Sequence, residues 1–296
     1  MDFALVAFGL GVGILVGMTG IGGGSLMTPM LILVFGVTPT TAIGSDLAYA
    51  AVTKTVGGYK HWTQKTVDFR LSTWMAVGSV PAAIAGVYVL TLLKDWLGHD
   101  FEDTVIILLA AALLLTGTAT LIRALLKRMQ ERERDTIEPM ERRHKIAAVA
   151  LGLSVGFVLG VTSAGSGALI AVGLILFFRL TPQRVVGTDV FHAAILLWAA
   201  GLAHVTAGNV DFGLVGTILL GSVPGVWLGS HWSVRVDPAL LRTTLAVVLI
   251  GAGLALTIKA GADIPVAVIV PFPVAVIALL VVTMVRSRKE RAEVGT

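Results

Sequence analysis

The sequence predicts an all-α polytopic membrane protein made of two inverted repeats. Each repeat is expected to hold a helical hairpin and three transmembrane helices, and one extra helix follows at the C-terminus. Three observations predict this architecture: an apolar composition, an internal duplication, and opposite placement of basic residues around the two copies. The 296 residues are 56% hydrophobic and 14% charged, with a mean hydropathy of +0.90. Soluble domains average about 45–50% apolar and about 25% charged residues, so the apolar excess indicates a membrane protein.

The apolar segments are long enough to cross a bilayer several times. A transmembrane helix needs about 20 predominantly apolar residues. Continuous windows that meet this need are 40–59, 70–93, 104–126, 183–203, 212–234, 239–258 and 264–285. Two further apolar segments, 3–36 and 146–178, are each interrupted by a run of glycine and hydroxyl residues.

These two interrupted segments belong to an internal duplication. The run GMTGIGGGS at 17–25 returns 143 positions later as GVTSAGSGA at 160–168. The same spacing, without a gap, relates GSD at 44–46 to GTD at 187–189, His61 to His204, VDF at 67–69 to 210–212, and GSVP at 78–81 to 221–224. We therefore divide the chain into a first repeat (1–126), a linker (127–145), a second repeat (146–259), and a C-terminal helix with a basic tail (260–296).

Basic residues predict that the two repeats face opposite sides of the membrane. Lys and Arg in short loops mark the cytoplasmic side. The linker carries seven of them, and the 60–70 loop and the 286–291 tail are also basic. The counterpart of the 60–70 loop in the second repeat, 204–211, has no Lys or Arg and is expected outside. Equivalent loops thus face opposite sides, with the N-terminus outside and the C-terminus in the cytoplasm.

The interrupted segments are predicted to be helical hairpins. As one helix, the 34 residues from 3 to 36 would measure about 50 Å at 1.5 Å per residue. That exceeds the roughly 30 Å of a bilayer core. Segment 146–178 begins after the cytoplasmic linker and ends at basic Arg179, so it has to enter and return on one side. The glycine-rich runs are then the hairpin tips.

The hairpin tips are the predicted substrate site. A helix that starts at a tip has unpaired N–H groups and the positive end of its dipole there, and such ends bind anions. Glycine lets the backbone approach a ligand. The alternative, in which glycines only permit close helix packing, is favoured for Gly9, Gly11 and Gly13. The expected binding residues are Thr19, Gly20, Gly22, Gly23, Gly24 and Ser25 in the first tip, and Thr162, Ser163, Gly165, Ser166 and Gly167 in the second.

Four ionisable residues within the apolar segments are candidates for coupling transport to protons. Asp46 and Asp189 are equivalent, and capping of a helix N-terminus is the open alternative for both. Lys54 lies eight residues after Asp46, on roughly the same helix face, while its counterpart is Leu197. In the second repeat, His192 follows Asp189 by three residues and so faces the same way. An Asp–His pair can relay protons near neutral pH.

These motifs resemble the TauE/SafE family of sulfite and organosulfonate exporters. The resemblance rests on the glycine-rich pattern from Gly11 to Leu31 with Pro29, on the Gly-Ser/Thr-Asp motif, on the His…Val-Asp-Phe loop and on Gly-Ser-Val-Pro. It covers nearly the whole chain, although the second tip has fewer glycines and no proline. The resemblance implies a multi-pass inner-membrane transporter of small sulfur-containing anions such as sulfite, sulfonates or thiosulfate, usually moved outward.

Other functions are less compatible with the sequence. The chain has no cysteine, which excludes thiolate catalysis and iron–sulfur clusters. No GxGxxG in a βαβ unit, zinc-ligand spacing or protease motif occurs, so we expect no enzyme activity, metal or cofactor. The basic balance lies in loops and does not indicate nucleic-acid binding. The expected partners are a small anion, the bilayer and a coupling proton. A homodimer, a carrier of another small organic anion, an anion channel and a membrane scaffold stay open.

Overall fold

The part of the chain that the structure describes is helical, with no strand. It is a computed structural model that describes residues 3–19, 24–126, 135, 140–232 and 238–261. The predicted span at 264–285 lies outside these residues. The α-helices in the described ranges are α1 (Phe3–Thr19), α2 (Gly24–Leu33), α3 (Pro39–Thr63), α4 (Phe69–Leu97), α5 (Phe101–Leu126), α6 (Arg142–Thr162), α7 (Ser166–Phe178), α8 (Pro182–Thr206), α9 (Phe212–Trp232) and α10 (Pro238–Lys259).

Equivalent residues start equivalent helices in the two repeats. Pro39 and Pro182 are the first residues of α3 and α8, where the missing proline N–H costs no hydrogen bond. Asp68 caps α4 by accepting a hydrogen bond from the Leu71 N–H at 3.0 Å. Asp211 caps α9 by accepting one from the Leu214 N–H at the same distance. These two equivalent aspartates are therefore the N-caps of equivalent helices.

Several helices are long and apolar enough to cross a membrane. Among the described residues, the segments that meet this condition are Phe69–Leu121, Arg142–Thr162, Pro182–Thr206 and Phe212–Gly229. The first is 53 residues long and contains α4 and most of α5, which a short turn joins. Helix α3, expected as a span at 40–59, does not meet the condition because it carries Asp46, Lys54 and other polar residues, which are buried inside the protein.

The second interrupted segment breaks where the glycine-rich run predicts. Helix α6 ends at Thr162, Ser163 and Gly165 have φ angles of 61° and 103°, and α7 starts at Ser166. Glycine adopts such left-handed angles without steric cost. In the first repeat α1 ends at Thr19 and α2 begins at Gly24, and 20–23 lie outside the described residues. The arms are unequal: α6 has 21 residues, about 30 Å, and α7 has 13, about 20 Å.

Each broken segment packs against a helix of the other repeat. Helix α1 runs along α9, and α6 runs along α4. Backbones touch at both contacts: a Cβ on Gly13 would meet the Ser222 backbone, and a Cβ on Gly156 would meet the Ser79 backbone. Gly13 and Gly156 are equivalent, as are Ser79 and Ser222. The close-packing interpretation is likewise confirmed for Gly9, whereas a Cβ on Gly11 would meet open space.

The packing also shows the relative directions of the helices. Helices α3 and α8 are antiparallel, because Gly58 lies beside Phe191 while Gly201 lies beside Ala48. Helices α5 and α10 are antiparallel in the same way. In contrast, α1 is parallel to α9, and α4 is parallel to α6. The Trp198 Nε1–H donates to Thr55 Oγ1 at 2.8 Å across the α3–α8 contact, and these two residues occupy equivalent positions in the repeats.

Candidate functional site

The tip of the second hairpin is a short, buried turn. The Thr162 hydroxyl donates to the Val158 carbonyl at 2.7 Å and accepts from the Ala164 N–H at 3.2 Å. Ser163 is in the left-handed conformation, and its side chain is buried. Gly165, at the N-cap of α7, supplies no side chain to cap that helix. The helix start therefore depends on backbone and neighbouring groups to satisfy its first N–H groups.

Asp46 joins this tip to the first repeat. Its carboxylate is fully buried within α3, and Oδ2 accepts two hydrogen bonds, from Thr28 Oγ1 at 2.5 Å and from Ser163 Oγ at 2.7 Å. Oδ1 has no hydrogen-bond partner among the described residues. One carboxylate thus links α2, α3 and the second hairpin tip. Because α3 begins seven residues earlier, at Pro39, the N-capping alternative is wrong for Asp46.

The equivalent carboxylate, Asp189, has a different environment. It is the eighth residue of α8, so N-capping is wrong here too. The positions equivalent to Thr28 and Ser163 are Ala171 and Gly20, which have no hydroxyl group. Instead, Asp189 lies close enough to the buried ammonium of Lys54 for their charges to interact. The two carboxylates are therefore equivalent in position but differ in the groups that surround them.

A second polar contact between the repeats, between His192 and Ser79, also differs from its equivalent. His192 Nε2 and Ser79 Oγ share a hydrogen bond of 3.1 Å, and both residues are fully buried. The equivalent positions carry Tyr49 and Ser222. The expected orientation of His192 toward Asp189 gains no direct support, because its Nε2 contacts α4. A proton relay through Asp189 and His192 stays a prediction.

The sequence motifs of one repeat contact those of the other. The Asp68 N–H donates to Thr188 Oγ1 at 2.9 Å, and the Asp211 N–H donates to Ser45 Oγ at 3.0 Å. These contacts are equivalent, so the Gly-Ser/Thr-Asp motif of each repeat receives the Val-Asp-Phe loop of the other. The His204 Nε2–H also donates to the Gly160 carbonyl at 2.9 Å, just before the second tip. The loops thereby support the helices that carry Asp46 and Asp189.

A pocket lies where the C-terminal part of α4 meets the start of α5 and the residues that follow α8. Its volume is about 210 Å³, and the Asn209 carbonyl beside it packs against Gly44, two residues before Asp46. The Asp46 side chain nevertheless has no exposed surface. Access to Asp46 therefore requires a conformational change. The pocket is lined by Leu90, Thr91, Lys94, Asp95, Phe101, Ala207 and Asn209.

The structure brings together only part of the predicted site. Thr162, Ser163 and Gly165 form the second tip beside Asp46, with Gly167 buried at the start of α7. Ser25 is buried near the start of α2. Gly20, Gly22 and Gly23 lie outside the described residues. The backbones of Thr19, Gly24 and Ser166 are described, but their surroundings are not. The described residues contain no cluster of His, Asp or Glu suited to a metal ion.

Sequence reasoning missed several polar residues of this interior. Thr28 follows Ser25 by three positions and so shares its face of α2, a signal that could have identified it. Tyr49 could have been found as the equivalent of His192. Ser79 and Ser222 belong to the repeated Gly-Ser-Val-Pro motif, a signal that could have identified them. Ser72 gave no signal, because a single hydroxyl in an apolar helix commonly bonds its own backbone.

Comparison with known proteins gives a consistent result. The family described as Sulfite exporter TauE/SafE matches residues 5–256. The chain is 38% identical over 256 residues to "Probable membrane transporter protein YjnA" of Bacillus subtilis, covering 86% of this chain and 100% of that protein. It is 28% identical to YdhB of the same organism (86% and 99% covered) and 22% identical to MJ0441 of Methanocaldococcus jannaschii (83% and 91% covered), which carry the same description.

No solved structure matches the chain. The relatives are named as membrane transporters, which agrees with the expectation that the chain is not an enzyme. The family match covers most of the chain, including both glycine-rich runs, both carboxylates and the loops that pair them. The protein is therefore a multi-pass membrane protein and a member of the TauE/SafE family.

Proposed function

We propose that the protein is a secondary transporter that exports small sulfur-containing anions, such as sulfite, sulfonates or thiosulfate, by alternating access. The observation that carries this proposal is the junction at Asp46, where the second hairpin tip meets a buried carboxylate of the first repeat. Buried ionisable residues in membrane proteins commonly mark substrate or ion pathways. The family to which the chain belongs supplies the substrate class.

The repeats, 1–126 and 146–259, are inverted in this proposal. Equivalent helices α3 and α8 are antiparallel, and so are α5 and α10. Two equivalent membrane-crossing helices that run in opposite directions belong to repeats of opposite orientation. The parallel pairs α1–α9 and α4–α6 also agree with the topology from basic residues, which has the N-terminus outside and the C-terminus in the cytoplasm of a bacterial-type inner membrane. Inverted repeats often place substrate near the bilayer midplane, where the repeats meet.

The hairpin tips bind the anion. The uncapped start of α7 directs backbone N–H groups and the positive end of the helix dipole toward the junction. Hydroxyls of Ser25, Thr162 and Ser163 add donors from both repeats. Gly20–Gly24 and Ser166 belong to the same proposal on sequence grounds. Because Ser163 donates to Asp46 in this closed arrangement, release of that bond accompanies opening of the second tip.

Export has a simple driving force. A membrane potential of 100 mV, negative inside, favours exit of each negative charge by about 2.3 kcal/mol. Outward movement of an anion therefore needs no second ion. Proton coupling through Asp46, Asp189 or His192 would add to this force, and a dependence of flux on the pH gradient would reveal it.

Ligand binding to the detergent-purified protein tests the proposal first. The panel is sulfite, thiosulfate, sulfoacetate, taurine, sulfate, lactate and chloride. A ligand at about a hundred times its Kd stabilises the folded protein by roughly 2.7 kcal/mol, which a thermal-shift assay detects. We expect a shift with sulfur oxyanions or sulfonates. A shift with lactate alone would refute the sulfur assignment, and none with any ligand would refute anion binding.

Flux in proteoliposomes then distinguishes a carrier from a channel. A carrier that alternates shows saturable uptake and counterflow of labelled substrate. We expect both. Conductance without saturation or counterflow would replace the carrier by an anion channel.

A further inference from the structure

One buried basic side chain lies in the part of the interior that the structure describes. Among the side chains that the structure describes, Lys54 is the only Lys or Arg that is buried, at 6% exposure. Buried carboxylates, in contrast, belong to Asp46, Asp68 and Asp189. An anion that reaches this interior meets two acidic side chains, in α3 and α8, and one basic side chain. Helix N-termini alone offer only partial charges of about half a unit.

The Lys54 ammonium has unused hydrogen-bonding capacity. An ammonium carries three N–H donors, yet Nζ has no hydrogen-bond partner among the described residues. Burial of a cation without hydrogen bonds is costly in a membrane interior. A negative ligand that accepts from Nζ would remove this cost. The available donors therefore suit a small oxyanion, whose oxygens accept several hydrogen bonds.

The residues next to Lys54 on α3 are small. Ala50, Ala51, Gly57 and Gly58 flank it along the helix, and Gly58 packs against α8 at Phe191 and Ala194. The charge of Asp189, also on α8, acts on Lys54 from the other repeat. The cation thus lies at the α3–α8 contact, where both repeats contribute and where the substrate path is proposed.

The cation also breaks the symmetry of the repeats. Its equivalent is Leu197, which is fully apolar and buried. Of these two equivalent positions, therefore, only the one in the first repeat offers a basic group to an anion. We propose that Lys54 binds the negative charge of the transported anion and exchanges Asp189 for that anion during transport. The inference rests on the proposed function and changes the role of Lys54 from coupling to substrate binding.

Exchange explains how an empty carrier avoids an unbalanced charge. Without substrate, the Lys54 cation is balanced by Asp189. With substrate, the anion accepts hydrogen bonds from Nζ and balances the charge of Lys54 in place of Asp189. Removal of the competing carboxylate should then strengthen anion binding, which a purely structural Lys54–Asp189 pair would not do.

Calorimetric titration of the full-length, detergent-purified protein with sulfite and with thiosulfate tests the inference. Loss of a hydrogen bond to a charged group weakens binding about ten- to a hundredfold, so Lys54→Met should raise the Kd by this factor. Lys54→Arg should retain most of the affinity. Asp189→Asn should lower the Kd several-fold. Lys60→Gln, an exposed lysine on the same helix, is the matched control and should leave the Kd unchanged.

The double variant Lys54→Met/Asp189→Asn covers the case in which Lys54→Met fails to fold, because it removes both members of the Lys54–Asp189 pair together. It should be monodisperse and bind sulfite as weakly as Lys54→Met. Wild-type affinity in this variant, or weaker binding in Asp189→Asn, would overturn the inference while leaving the proposed function intact. Absence of sulfite and thiosulfate binding by the unaltered protein would instead overturn both.

Discussion

The hydrogen bond between Ser163 and Asp46 should hold the second hairpin tip closed, and Ser163→Ala removes it without changing the helix. The bond measures 2.7 Å and is buried. A hydrogen bond to a charged group contributes about 1.5–3 kcal/mol, and each 1.4 kcal/mol is a factor of about ten. Opening of the tip should therefore become about ten- to a hundredfold more frequent. The other hydrogen-bond donor to Asp46, Thr28, is unchanged, so the fold should persist.

Hydrogen–deuterium exchange measured by mass spectrometry reads this opening directly. Backbone amides of the tip exchange through local opening, and peptides that contain Ala164 should exchange faster by that factor in Ser163→Ala. The matched control is Ser154→Ala, because Ser154 is an exposed residue of α6 that bonds only its own helix, at Ala150. Exchange in Ser163→Ala within twofold of the unaltered protein would refute the proposed closure. Equal acceleration in the control would show a general loosening of α6.

Further predictions concern packing, capping and coupling. Gly13→Ala should destabilise the protein by about 1–3 kcal/mol through overpacking against α9. Gly11 faces open space, so the control Gly11→Ala should not lower the melting temperature. Equal melting temperatures for the two variants would contradict the close packing at Gly13. Asp68→Ala and Asp211→Ala each remove an N-cap, so each should lower the free energy of unfolding by about 1 kcal/mol and with it the melting temperature. An unchanged melting temperature in either variant would disprove the capping role. Asp189→Asn should abolish any dependence of flux on a pH gradient in proteoliposomes, and an unchanged dependence would exclude Asp189 from coupling.

Much of the fold could be predicted because its signals are local. Glycine and hydroxyl residues interrupt an apolar run at 160–168, and the helix breaks there, since Ser163 and Gly165 adopt left-handed conformations. Proline at 39 and 182 starts the equivalent helices, and aspartate at 68 caps the next one. Each of these features depends on residues within one turn of the chain. Because the two copies are related by a constant offset, a feature predicted in one repeat also predicts the equivalent feature in the other.

The candidate site was only partly predictable because its contacts join distant segments. From the sequence, Asp46 is equally suited to proton coupling and to helix capping, since a carboxylate near a helix start is a capping residue in many proteins. The structure instead pairs it with Thr28 and with Ser163, 117 residues away. Hydroxyl groups in apolar helices have no sequence signal that separates such a contact from a bond to their own backbone. The functional role of Asp46 stays a prediction, and its two hydrogen-bond partners could not be derived from the sequence.

The sequence by itself determined that this chain is an apolar duplication with two broken segments, because hydropathy, glycine content and repeat spacing are properties of the linear chain. Only the tertiary structure decided how the copies complement each other. Equivalent helices pack antiparallel, each Val-Asp-Phe loop reaches the opposite Gly-Ser/Thr-Asp motif, and the Lys54 charge lies beside Asp189 of the other repeat. These arrangements depend on which buried faces meet, and that choice is made by packing and charge pairing across more than a hundred residues of chain.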